Sequence, residues 1–204
     1  MNLFRTCRIS DNAPALRFVK RARDIASVIK LLGTKEMIDD VFNRPLPILK
    51  IYESRFGPEG FSKNILYTSE KRDTTLYEYG YHLILDSSLL NRPVYASTYR
   101  LSLKTKNKPI DVQQLPSAAQ VLSRTSYNAS HAWIRTIDAA TLDVIQYPNV
   151  RDPNPGGLNF AIFNRSSVTS ASGGSEPLIL TALPNNRVRV QRPHNPEFEI
   201  QPIS

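Results

Sequence analysis

The sequence predicts a single α+β domain in which strands predominate. The chain has 204 residues, the length of one ordinary domain. Short runs rich in Val, Ile, Tyr, Phe and Thr recur along it, bounded by Gly, Pro, Asn and Asp clusters. Helical periodicity is confined to early and middle regions, the pattern of a strand-rich mixed domain rather than of alternating βα units.

Leu3-Phe4-Arg5-Thr6-Cys7-Arg8-Ile9 mixes apolar and polar β-tolerant residues and reads as an opening strand, broken by Asp11-Asn12-Ala13-Pro14. Ala22, Ile25, Ala26, Val28, Ile29 and Leu32 then recur at helical spacing up to Gly33. Thr34 offers a cap for a second short helix carrying Met37, Ile38 and Val41, which ends at Arg44-Pro45. These helices make residues 10–45 an extra N-terminal helical segment, read as an insertion or a cover.

Residues 48–52 read as a strand, and a turn follows at Arg55-Phe56-Gly57-Pro58-Glu59-Gly60. Ile65-Leu66-Tyr67 is a short buried-strand signal. Asp73 offers an N-cap for a helix whose apolar stripe is Leu76, Gly80, Leu83 and Ile84. Glu78 and His82, one turn apart, fall together off that stripe. From the residues alone, Glu78 reads either as a dipole-favoured surface carboxylate or as a functional one.

Residues 94–103 have strand composition, and 110–114 read as continuing the sheet. Pro116-Ser117 opens a helical region to about Arg135, broken near Ser126 and carrying His131 and Trp133. His131 has two readings, catalytic or packing. A strand at 142–147 ends at Pro148, and a long turn leads to another at 158–163. The C-terminal part, 166–204, reads as a Ser/Gly-rich loop at 170–175 and a hairpin of 177–182 with 187–191 across Pro184-Asn185-Asn186. An irregular tail follows from Arg192.

Composition removes several classes of function. The formal charge of +8 invites nucleic acid. The basic residues are scattered, however, and the small clusters Lys20-Arg21-Ala22-Arg23 and Lys104-Thr105-Lys106-Asn107-Lys108 lie in no groove-reading motif. The charge suits a phosphate-bearing ligand or an acidic protein partner equally well. No apolar run approaches the roughly 20 residues of a membrane span. The N-terminus does not read as a secretory signal, and the single Cys7 fits a reducing compartment, so a cytoplasmic protein is expected. Glycine-rich dinucleotide and phosphate loops are missing, as is a Gly-x-Ser-x-Gly elbow. One cysteine and three scattered histidines, His82, His131 and His194, give no metal-ligand spacing, so no metal is expected.

The stretch 55–82 remains. It sets a fixed cation, Arg55, an aromatic face, Tyr67, and a carboxylate, Glu78, within one strand-turn-helix unit. That is a kit for holding an anionic, aromatic ligand and acting on its sugar.

Ser54-Arg55-Phe56-Gly57, Ile65-Leu66-Tyr67-Thr68 and Thr74-Thr75-Leu76-Tyr77-Glu78 follow one another at characteristic spacing. Tyr147-Pro148-Asn149-Val150-Arg151 and Gly156-Gly157-Leu158-Asn159-Phe160 come later, and Phe4-Arg5 stands in the opening strand. Together these pieces resemble the RES-domain family, the toxins of bacterial toxin–antitoxin pairs, over residues 3–9 and about 54–165. The chain departs from the family pattern with Asn149 for the usual serine, Ser54 for a glycine, and the added segment 10–45.

The resemblance implies a fold similar to ADP-ribosyltransferases and NAD as a substrate attacked at its nicotinamide–ribose bond. Hydrolysis, phosphorolysis and transfer of ADP-ribose to an acceptor protein all occur in the family. Glu78 would stabilise the ribose oxocarbenium, and Tyr67 would stack on or orient the nicotinamide. Arg5 and Arg55 would bind the pyrophosphate, and Asn149 would hydrogen-bond ribose or phosphate in place of the serine. Arg151 is a further binding candidate that serves equally well as a structural ion-pair partner. A cognate antitoxin protein is the implied partner.

Overall fold

The computed structural model describes residues 1–8, 54–154 and 156–203, with the backbone alone at 7–8 and 170–175. The expected helices of 10–45 and the strand at 48–52 lie outside the described residues. Within these, nine strands form one mixed sheet. They are β1 (Asn2–Arg8), β2 (Leu66–Ser69), β3 (Pro93–Leu103), β4 (Ile110–Asp111), β5 (Val144–Pro148), β6 (Leu158–Ile162), β7 (Val168–Leu183), β8 (Arg187–Gln191) and β9 (Phe198–Ile200). Their spatial order is β4-β5-β6-β2-β1-β3-β7-β8-β9, and only β4–β5 is parallel. The helices are α1 (Arg72–Leu85), α2 (Ala118–Val121) and α3 (Asn128–Ile134).

Alternation along the strands divides the core between the two faces of the sheet. Leu3, Leu66, Leu101, Phe160 and Ile162 bury together on one face. On the other, Leu76 and Leu83 of α1 pack on Val94, Ala96, Leu180, Val188 and Ile200. Further along that same face, Val121 and Ile134 from α2 and α3 join Phe56, Ile145, Tyr147 and Ala161. Two helical caps thus sit side by side over the sheet, with β1, β2 and β6 passing beneath the gap. The register carries polar groups into it, because Phe4 pairs with Ser69 and Ser69 with Asn159.

Three threonines pin the start of α1 to the sheet. The Thr6 amide donates to Thr75 Oγ1 at 2.8 Å, Thr75 Oγ1 donates to Thr6 Oγ1 at 2.6 Å, and Thr6 Oγ1 lies 2.8 Å from Thr98 Oγ1. At Gly80 a side chain would press on Ile200, Pro202 and Val188, each 3.3 Å from where its Cβ would stand. Only a glycine lets the helix lie this close to β8 and β9.

Several expectations are corrected. The helix cap is Lys71, not Asp73, because the chain turns in directly after β2, and Lys71 makes no side-chain capping bond. Asp73 falls in the first turn, where its charge suits the dipole, and pairs with Arg192. The strand at 110–114 ends at Asp111, whose Oδ1 accepts from the Gln113 amide and rolls Val112–Gln114 into a 3₁₀ turn. The Ser/Gly-rich stretch 170–175 is part of strand β7, not a loop. Pairing with β3 overrides its composition, with Ser170 opposite Ser102 and Ser172 opposite Arg100, and the glycines fall in a register shift. The tail contains β9, which adds an edge strand along β8. The hairpin turn has Asn185 and Asn186 at φ of 63° and 57°, left-handed backbone that asparagine tolerates.

Candidate active site

The gap between the two helical caps is a cavity of about 370 Å³, within the size range of small-molecule sites. Its floor comes from Phe4, Arg5 and Thr6 of β1, Tyr67, Thr68 and Ser69 of β2, and Asn159 of β6. Thr75, Glu78, Tyr79 and His82 form the α1 wall. These four follow the i, i+3, i+4, i+7 spacing of one helix face, adjacent to the buried Leu76–Gly80–Leu83 face. The face off the apolar stripe therefore turns into the cavity, and the Glu78 side chain is only 31% exposed. Ser54, Arg55, Tyr127 and Tyr147 close the opposite side.

Arg55 is buried at the turn before β2. Its Nη1 donates to the carbonyls of Val121 and Ser123 at 3.0 and 2.9 Å, and its guanidinium lies 5.1 Å from the centre of the Tyr127 ring. Among the described residues nothing accepts from its Nε or Nη2, which leaves those donors for a ligand. Arg5 Nη1 donates to the Tyr67 carbonyl at 2.6 Å, tying β1 to β2. Tyr67 presents its ring to the cavity while its hydroxyl serves the fold. That hydroxyl donates to Ser54 Oγ at 3.0 Å and accepts from the Phe56 amide at 3.1 Å. Burial pushes its pKa up to about 12 against the opposing effect of these bonds. His131 is buried beneath the same turn. Its Nε2 lies 2.9 Å from the Ser54 carbonyl, and since a carbonyl only accepts, that nitrogen carries the proton. It holds the Arg55 turn in place and lies outside the cavity lining.

Glu78 is oriented by its neighbours. Asn159 Nδ2 donates to its Oε2 at 3.4 Å. The Asn159 carboxamide is itself fixed, because its Oδ1 accepts from Ser69 Oγ at 2.6 Å and from Asn149 Nδ2 at 3.4 Å. His82 Nε2 stands 3.8 Å from Glu78 Oε1 on the next turn. Desolvation lowers the His82 pKa, the Glu78 carboxylate opposes this, and Arg151 adds to it. The His82 side chain lines the cavity and is 60% exposed.

The cavity thus brings together Arg5, Arg55, Tyr67 and Glu78. It does not include Asn149 or Arg151. Asn149 organises the turn after β5, with Oδ1 accepting from the amides of Arg151 and Asp152 and Nδ2 donating to the Thr74 carbonyl at 3.1 Å. It reaches the site only through Asn159. Arg151 is buried, donates to the carbonyls of Ile203 and Arg124, and lies 3.5 Å from the centre of the Tyr81 ring. It stacks and hydrogen-bonds within the fold, where an ion-pair role had been expected as the alternative to ligand binding.

A comparison with protein-family models matches residues 36–180 to the RES domain. The chain belongs to the RES domain family. A search of curated proteins returns no match. Membership of the RES family points to an NAD-related, enzyme-like function.

In this RES domain the sequence reading missed Asn159 and Tyr147. Asn159 is the one polar residue in the apolar strand β6 and is 2% exposed, a pattern that could have marked it. Tyr147 ends β5 inside a recognised motif, yet only the fold shows its ring buried against Phe56 at 5.0 Å. Among the described residues no group of three or more His, Cys, Asp or Glu side chains could hold a metal ion. No described helix is long and apolar enough to cross a membrane.

Proposed function

We propose that this RES domain binds the nicotinamide–ribose end of NAD in the cavity and breaks the bond between them. The supporting observation is that one carboxylate, Glu78, two guanidinium groups, Arg5 and Arg55, and the Tyr67 ring line a single cavity of the size of a small-molecule site. In the proposed reaction the C1′–N bond breaks and its electron pair leaves with neutral nicotinamide. Positive charge develops on the ribose, and the Glu78 carboxylate, held by Asn159, stabilises it electrostatically. Water or phosphate then adds at C1′ and gives up a proton, yielding ADP-ribose or its phosphate. The Nε and Nη2 of Arg55, without an acceptor among the described residues, suit adjacent phosphate oxygens. The buried Tyr67 hydroxyl stays protonated at neutral pH, so this residue acts through its ring.

Transfer of ADP-ribose to a protein shares the bond-breaking step, and His82, a lining residue whose side chain is 60% exposed, leaves the cavity in reach of an acceptor outside it. Loss of cellular NAD by either route would make the protein toxic to its own cytoplasm and call for a cognate antitoxin.

The test is NAD consumption with product identification, run with phosphate and with candidate acceptor proteins. Glu78→Gln keeps the size of the side chain and removes its charge, so turnover is expected to fall by at least about a hundredfold with the thermal midpoint little changed. Wild-type protein that leaves NAD intact under all these conditions would overturn the proposal. NAD binding without turnover would identify an impaired binding module instead.

A further inference from the structure

Tyr147, next to last in strand β5, is 3% exposed, packs its ring against Phe56 in an edge-to-face contact and lines the cavity. Among the described residues nothing donates to or accepts from its hydroxyl. The hydroxyl of the neighbouring Tyr67, by contrast, is bonded on both sides. A hydroxyl with no partner among the described residues is open to a group that enters the cavity. The charged groups that act on it most are Glu78 and, more weakly, Arg55, and both line the same cavity. Burial and the Glu78 carboxylate raise its pKa well above the ordinary tyrosine value, so at neutral pH it remains an O–H donor.

The two groups are complementary as a pair. An ionised carboxylate only accepts hydrogen bonds, whereas an undissociated phenol donates one. A ligand alcohol meets both, giving one hydrogen bond and taking one. We propose that Tyr147 and Glu78 together hold one hydroxyl of the ribose beside the scissile bond, the sugar O–H donating to Glu78 and its oxygen accepting from Tyr147. This rests on the NAD reading of the cavity and adds to it a specificity-determining residue and a required sugar hydroxyl. Phe56 packs against the Tyr147 ring in an edge-to-face contact, 5.0 Å between centres, and restrains it.

The experiment compares wild type and Tyr147→Phe on NAD and on two analogues lacking the 2′ or the 3′ hydroxyl of the nicotinamide ribose. The readout is the ratio of kcat/KM between NAD and each analogue, so differences in intrinsic reactivity cancel between the proteins. Discrimination against one analogue is expected to shrink about tenfold in Tyr147→Phe, through loss of one hydrogen bond made to that hydroxyl. The thermal midpoint is expected to stay level or rise, since the hydroxyl has no partner among the described residues to lose. Unchanged discrimination against both analogues in an active wild type, or a lower midpoint in the variant, would overturn the assignment while leaving the NAD reading standing. A wild type that does not consume NAD would remove both.

Discussion

Asn159 turns its amide nitrogen toward Glu78 because Ser69 holds the other end of the same carboxamide. The contact joins β6 to α1 across the cavity. Asn159→Asp changes no volume but replaces a donor with a second anion facing the carboxylate. Turnover is expected to fall by roughly a hundredfold or more, against about tenfold for Asn159→Ala, where the donor is merely lost. Initial rates alongside thermal midpoints check this. Equal rates for the two variants would show that the amide does not face Glu78 during the reaction.

Tyr67→Phe removes the phenol that bridges Ser54 and the Phe56 amide. A loss of about 1–3 kcal/mol is expected in urea unfolding at neutral pH, since buried partners are left unmatched. The pH dependence has a definite sign. Burial raises the folded-state pKa from 10.0 to about 12, so the folded state keeps a proton that the unfolded state releases. The contribution is fully present below pH 10 and disappears as pH rises toward 12. Wild type should therefore lose stability steeply across that window, and Tyr67→Phe less so.

Arg151 is a structural cation. Arg151→Met keeps much of the apolar stem but abandons the carbonyls of Ile203 and Arg124 and the face of Tyr81. Destabilisation by roughly 2–4 kcal/mol is expected. Any fall in NAD turnover should follow the folded fraction, which circular dichroism at the assay temperature measures. A folded variant with weakened substrate binding would return Arg151 to the site.

Gly157 lies directly beneath the start of α1. A Cβ there would stand 2.8 Å from Thr74 Oγ1 and 3.0 Å from its Cγ2, and Thr74 is buried and β-branched. Gly157→Ala is expected to cost about 1–3 kcal/mol by overpacking and to lower turnover by displacing the helix that carries Glu78. Adding Thr74→Ala should restore part of both. If the double variant is only additively worse, the clash is elsewhere.

Much of the fold was legible because period and burial agree. The stripe Leu76–Gly80–Leu83 is buried, and strands β1, β2, β3, β5 and β6 fall close to where alternation or apolar runs put them. Composition failed where pairing overrode it, as in β7, whose Ser/Gly stretch lies against β3. The candidate site was legible only in part, for a related reason. Glu78, Arg55 and Tyr67 lie close in sequence, whereas the partners of Glu78 are set by strand register. Asn159 meets Ser69 only because β6 pairs with β2, and nothing local in either segment encodes that. Asn149 was named as a ligand contact because of its motif, yet its side-chain bonds go to its own turn, to the Thr74 carbonyl and to Asn159.

The placement of β1 sets the order in which the protein can become active during synthesis. This strand lies inside the sheet, with Asn2 opposite Ser102 and Phe4 opposite Ser69, so its residues wait for partners made much later. The last lining residue to be made is Asn159, on β6. A nascent chain that stalls or is cut before that strand carries Arg5, Arg55 and Glu78 without a pocket to hold them. Such long-range pairing also slows folding. For a protein proposed to consume its own cell's NAD, the topology acts as a delay, withholding a complete cavity from products that end before β6.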